Sequence, residues 1–150
     1  MPSFTSFLVS PLRRDIVSEA AGAAVGESAD AELAALLVDY IALYTGPSLA
    51  RWRELFLPSF VATATNDDGT VSAWNLDTFY ERQRNAFATG KPIRETLENT
   101  QVDCTGALAS VRSEFVWTDG TITRRGRLML LVIRERGRFR IQALTFSYQT

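Results

Sequence analysis

The 150-residue chain reads as an α+β domain, with about three helices in its N-terminal half packed on the concave face of a curved, mainly antiparallel sheet to make a cone. Three observations predict this. Apolar residues recur at helical spacing from Leu33 to Tyr44, two further helical stretches flank a short hairpin, and beyond Ile93 four long alternating segments are joined by glycine-containing turns.

Residues 1–28 are small and mixed and carry no sustained apolar period, so they read as an N-terminal extension to a domain of residues 29–150. Alanines favour a short helix over residues 12–24, and Gly22 and Gly26 oppose it. Leu33, Leu36, Leu37, Tyr40, Ile41 and Tyr44 form one helical stripe with Asp30 as its expected N-cap, and Gly46-Pro47 stops it. Ser48 should cap a second, shorter helix with Leu49, Trp52, Leu55 and Phe56 on one face, ended by Leu57-Pro58.

Residues 60–65 and 70–74 flank Asn66-Asp67-Asp68-Gly69, whose members tolerate left-handed backbone, so a hairpin is expected. Asn75 or Asp77 caps a third helix containing Leu76, Phe79, Tyr80, Gln83, Ala86 and Phe87, closed by Gly90 and Pro92. Residues 93–104, 107–118, 121–135 and 138–148 then form a meander through turns at Gly106, Gly120 and Gly137. Ala107, Ala109, Val111, Phe115 and Trp117 share one strand face, and Ser110, Arg112, Glu114 and Thr118 share the other.

Composition removes whole mechanisms. With no histidine, Ser-His-Asp and Cys-His sites and histidine bases are excluded, leaving perturbed Asp, Glu, Tyr or Lys for proton work. One cysteine, Cys104, allows neither a tetrahedral zinc set nor an internal disulfide, and no tight carboxylate cluster appears, so no metal or other cofactor is expected. Mean hydropathy of −0.03 and the lack of a long apolar run argue against a membrane span. The first residues lack a leading basic region, which points to a cytoplasmic protein.

Charge is skewed: residues 1–75 carry nine acids and four bases, residues 76–150 eight acids and twelve bases. Seven arginines lie between Arg124 and Arg140 and could serve an anion, but a net charge of −1 makes a nucleic-acid partner an unfavourable expectation.

Val38-Asp39-Tyr40-Ile41-Ala42-Leu43-Tyr44, Trp52-Arg53-Glu54-Leu55-Phe56 before a strand, and the final Gly137-Arg138-Phe139-Arg140-Ile141-Gln142-Ala143-Leu144-Thr145-Phe146-Ser147 carry a resemblance. In this element order they resemble segments of the nuclear transport factor 2-like superfamily, which includes SnoaL-like cyclases, ketosteroid isomerase and scytalone dehydratase. The resemblance implies a cone with a pocket and a dimer through the outer sheet face. The chain departs from the relatives' catalytic groups: Ala143 and Thr145 stand where SnoaL-like relatives often carry histidines, and Ala64 stands at the isomerase's aspartate position. Scytalone-dehydratase chemistry, which depends on histidine, is excluded.

Tyr40, which matches the isomerase tyrosine, and Asp103 are the catalytic candidates, as hydrogen-bond donor and base. Asp103 and Asn99 share strand parity with Ile93, Leu97 and Gln101, which would place a carboxylate at the pocket wall. The expected lining is Trp52, Phe56, Trp74, Phe79, Tyr80, Asn99, Phe115, Trp117, Arg127 as a carboxylate clamp, and Thr145. Leu108, Val116, Leu128, Leu130, Leu144 and Phe146 spread over both strand parities, more apolar positions than one buried face needs, and suit the homodimer. The expected function is binding of a small hydrophobic molecule, with cofactor-independent isomerase, cyclase or lyase-type proton transfer as the chemistry; the alternative is a non-catalytic dimeric structural or interaction module.

Overall fold

A computed structural model of the chain describes residues 20–149, with side chains from Ala29 onward. Helix α1 (Ala20–Ala42) is followed by α2 (Leu49–Arg53), the hairpin β1 (Phe56–Thr65) and β2 (Val71–Asn75), α3 (Leu76–Ala88), and strands β3 (Arg94–Thr105), β4 (Leu108–Thr118), β5 (Thr123–Glu135) and β6 (Arg138–Tyr148). The six strands form one sheet in the order β2-β1-β6-β5-β4-β3. All neighbours are antiparallel except β1 and β6, so the expected meander stands and the hairpin is joined to it by a parallel pair.

The helices differ from expectation at three ends, one of them Ser48, which stands at the N-cap position of α2 without a side-chain capping bond. α1 passes without a break through Asp30, which is therefore not an N-cap, and most of the short helix expected over residues 12–24 lies outside the described residues. α2 is only five residues long, and Phe56 belongs to β1. Strand pairing takes the chain away from the helix: Ile141 N–H donates to Leu55 C=O at 2.8 Å, and Arg140 Nη2 donates to Phe56 C=O at 2.9 Å. Pro58, expected to end a helix, sits in the irregular stretch of the β1/β6 ladder between Phe56 and Val61, where a missing N–H removes no regular ladder bond. Asn75, rather than Asp77, caps α3, its side chain accepting from Thr78 N–H at 2.9 Å.

α1 lays Leu33, Leu37 and Tyr40 against the inner sheet face, where Leu97, Val111, Leu130, Val132 and Ile141 are also buried. Leu128, Leu130 and Leu144 face this core, and Phe146 packs against it, instead of supplying the outer face. The outer face is apolar through other residues: Leu108 is 56% exposed, Met129 51%, Leu131 43% and Val61 42%.

Two irregularities decide which side chains point inward. In β3 the ladder slips between Glu98 and Gln101, and Asn99 adopts a left-handed φ of 54°, which asparagine tolerates better than most residues. Glu95 and Leu97 face in before the slip, Thr100 and Val102 after it. The β5/β6 ladder slips between Leu131 and Val132, so Ile141 and Leu144 are both buried.

Gly126 permits a third adjustment. It lies in register between Phe115 and Tyr148, whose rings close over it with centroids 5.8 Å apart at 67°. A Cβ there would lie 2.2 Å from Ser147 C=O and 2.7 Å from the Phe115 ring. Gly126→Ala should therefore destabilise the fold by about 1–3 kcal/mol in urea titration; an unchanged midpoint would show that this close approach is not a constraint.

Candidate functional site

The concave face is wider than α1 can cover, and aromatic residues fill most of the remainder. Trp52 lies 5.9 Å from Tyr40, 5.1 Å from Tyr44, 4.6 Å from Phe56 and 5.9 Å from Phe79, ring centroid to centroid. Its Nε1–H donates to Tyr40 C=O at 2.9 Å, so the indole joins α2 to α1 through a polar bond as well as its faces. In front of this floor is a cavity of about 70 Å³. By volume it takes a few waters or a compact ligand.

One carboxylate reaches that cavity. Glu95 stands on β3 opposite Trp117 of β4, on the parity that faces in. Burial pushes its carboxyl up to about 7, and a hydrogen bond with the Tyr40 hydroxyl opposes the rise. Tyr40 is raised well above the usual phenol range by burial first and by the negative charge of Glu95 second. It therefore stays protonated and donates.

A second polar chain crosses the pocket. Trp117 Nε1–H donates to Tyr44 Oη at 3.2 Å, and Tyr44 Oη–H donates to Gln83 Oε1 at 2.5 Å. This fixes the Gln83 amide with its nitrogen as a donor that has no partner among the described residues. Leu128, Leu144, Phe146 and Tyr148 complete the wall.

The expected lining is gathered in part. Tyr40, Trp52, Phe79, Phe115 and Trp117 line the cavity. Phe56 is buried behind it against Trp52 and Phe60. Trp74 lies in a neighbouring groove, and Tyr80 lies under the Arg53 guanidinium at 4.8 Å.

Four expected residues lie elsewhere. Asp103 is exposed because the slip at Asn99 reverses the parity that would have turned it inward. Asn99 is itself exposed and donates to the Glu114 carboxylate. Arg127 and Thr145 are exposed on the outer face, opposite Glu114 and Met129. Glu95, the carboxylate actually present, shares parity with Ile93 and Leu97, and that pattern was the available signal for it.

The arginines between residues 124 and 140 do not form one patch. Arg134 pairs with Glu32 at 2.8 Å, Arg140 with Glu135 at 3.4 Å and Arg125 with Glu98 at 3.8 Å. Among the described residues no helix is long and apolar enough to cross a membrane.

A curved sheet closed by helices around a side pocket is the cystatin-like, nuclear transport factor 2-like architecture, and this chain has it. The chain belongs to the SnoaL-like domain family, which it matches over residues 33–150. Solved structures similar to it include a Mycobacterium tuberculosis protein of unknown function, with a TM-score of 0.69, 19% identity, and coverage of 87% of this chain and 78% of that one. A putative scytalone dehydratase from Novosphingobium aromaticivorans has a TM-score of 0.69 at 11% identity, covering 85% and 89%. The beta subunit of a putative aromatic-ring-hydroxylating dioxygenase from the same organism has a TM-score of 0.65 at 16% identity, covering 84% and 92%. At these identities the likeness establishes the fold alone. No functionally curated protein matches the sequence.

The raised Glu95 carboxyl makes stability pH-dependent with a definite sign. Between its ordinary value of 4.5 and about 7 the folded chain holds a proton that the unfolded chain has released. This contribution is complete below pH 4.5, is lost as pH rises to 7, and stays lost above. Glu95→Gln keeps a hydrogen-bonding group for Tyr40 without the charge, so at pH 8 it should be more stable than wild type by on the order of 1–2 kcal/mol, with the gap closing by pH 4.5. Parallel melting temperatures across pH 4.5 to 8 would contradict the assignment.

Proposed function

We propose that the chain binds a compact, largely apolar molecule in this pocket and that Glu95 exchanges a proton with it, in cofactor-independent isomerase, cyclase or lyase-type chemistry. One observation carries the reading: a carboxyl poised near neutrality faces a cavity otherwise walled by aromatic and aliphatic side chains. A general acid or base is most effective when its pKa lies near working pH, and Glu95 meets that condition without histidine. Tyr40, the earlier donor candidate, has the role of positioning Glu95, because its hydroxyl is engaged with that carboxyl. The donor offered to a ligand oxygen is the Gln83 amide, held by Tyr44.

Trp52 and Trp117 at the cavity wall supply the readout. A one-ring ketone such as acetophenone should quench tryptophan fluorescence saturably, and Gln83→Leu should weaken its binding about three- to tenfold. Unsaturable quenching, or equal affinity in the variant, would count against the reading.

The second reading, a non-catalytic dimeric module, is favoured by the narrowness of the cavity and by the exposed apolar strip of the sheet. In either case we propose a homodimer through that face, centred on Val61, Leu108, Met129 and Leu131 and leaving the pocket free. Met129→Lys with Leu131→Lys should convert a dimer to a monomer in light scattering after size exclusion, with little change in the melting of the monomer. A wild-type monomer at 100 μM would overturn the dimer. A cytoplasmic setting suits a chain whose single cysteine leaves it no internal disulfide.

A further inference from the structure

The cavity adjoins a groove lined by Trp74, Arg82, Arg124, Phe146 and Tyr148, and Phe146 and Tyr148 line both. Two arginines from different elements converge on this groove. Arg82 of α3 lies 4.7 Å above the Trp74 ring, and Arg124 of β5 lies 3.7 Å above the Tyr148 ring. Arg124 shares its strand face with Gly126 and Leu128, so it stands on the pocket side of the sheet, unlike its neighbours Arg125 and Arg127. Neither Arg82 nor Arg124 has a carboxylate within 4.0 Å among the described residues, whereas Arg53, Arg84, Arg125, Arg134 and Arg140 each have one.

Stacking leaves the edge N–H groups of each guanidinium available for a planar anion. Burial raises the Tyr148 hydroxyl above the usual phenol range, and Arg124 and Arg82 each oppose that rise, so both guanidiniums act at this one ring. Asp67 and Asp68 lie in the same groove, on the β1–β2 turn. Asp68 is occupied there, accepting from Thr70 N–H at 2.9 Å and from its hydroxyl at 2.6 Å. Arg82 and Arg124 line the same groove, so an anion seated there is attracted by both.

We propose that Arg82 and Arg124 form an anion-recognising collar, so that the pocket selects a compact aromatic or aliphatic body bearing a carboxylate, with the body inside and the carboxylate in the adjoining groove. This rests on the pocket-binding reading above and narrows it to a substrate class. It also separates two carboxyl environments: that of Glu95, buried and easily protonated, and that of the ligand, kept ionised between two guanidiniums. The ligand's charge is thereby held away from the proton-transfer group.

Calorimetric titration of the full chain with 3-phenylpropanoate and with 3-phenylpropanamide tests this, with benzoate and benzamide as a shorter pair. At pH 6 and low salt the ligand acids are ionised. Wild type should bind the better acid about tenfold more tightly than its amide. The double variant Arg82→Gln, Arg124→Gln should lose that preference while binding the amide as before, and Arg127→Gln on the outer face should behave as wild type. Equal affinity of acid and amide for wild type would overturn the collar and leave the pocket standing. Loss of amide binding along with acid binding in the double variant would overturn it too, by giving the arginines a structural role. Failure of all four compounds to bind would overturn both the collar and the pocket reading.

Discussion

The packing of Trp52 holds the two ends of this fold together. A five-residue helix has almost no stability of its own, and α2 persists because its indole is inserted between α1, α3 and the start of β1. The Tyr40, Tyr44, Phe56 and Phe79 rings all lie within 5.9 Å of the Trp52 ring, centroid to centroid, so this one side chain packs α1, α2, α3 and the start of β1 together. Truncating a fully buried tryptophan of this kind costs on the order of 3–5 kcal/mol elsewhere. Here it would also release the phenol that holds Glu95.

That dependence connects folding to chemistry. A carboxyl on an apolar wall carries a desolvation cost, which the protein lowers in two ways: one hydrogen bond from Tyr40 and a proton retained to near neutrality. The remaining cost is the kind of local instability that functional sites carry while the surrounding core supplies stability. Tyr44, Trp117 and Gln83 form a separate polar chain, so the pocket presents a carboxyl raised by burial and a neutral amide from different elements. Phe115 and Tyr148 meet over Gly126 to wall the cavity beside them, and sequence changes at that glycine would act on the pocket through the sheet.

Much of this was legible in the chain. The apolar stripe from Leu33 to Tyr44, the cap at Asn75 and the turns at Gly106, Gly120 and Gly137 are local signals, because each arises within a few residues. The family segments around Tyr40, Trp52 and Phe139 specify a core, and the core formed as they imply. The site was less legible because its geometry depends on register. Alternation counted from Ile93 and Leu97 places Asp103 inward only if β3 is regular; one slip at Asn99, set by pairing with β4, sends Asp103 out. Thr145 was misplaced for a similar reason, since the slip in the β5/β6 ladder turns Leu144 and Phe146 inward. Arg127 failed for lack of any local signal, because a charged residue on an alternating strand does not reveal which side its partner strands cover. The start of α1 at Ala20 was hidden by glycines whose cost a long helix can absorb.

The central claim is that Glu95 is an acid near neutrality because it is buried at the pocket wall beside Tyr40. Carbon-13 NMR of the glutamate side-chain carboxyls, with Glu95 assigned from its loss in Glu95→Gln, reads that directly across pH 3 to 9. The Glu95 signal should titrate at about 7, and should rise further when Tyr40 is replaced by phenylalanine, since the bond that stabilises the anion is then gone. A midpoint between 4 and 5, unmoved by Tyr40→Phe, would mean that the carboxyl is solvated and that the pocket holds no proton-transfer group.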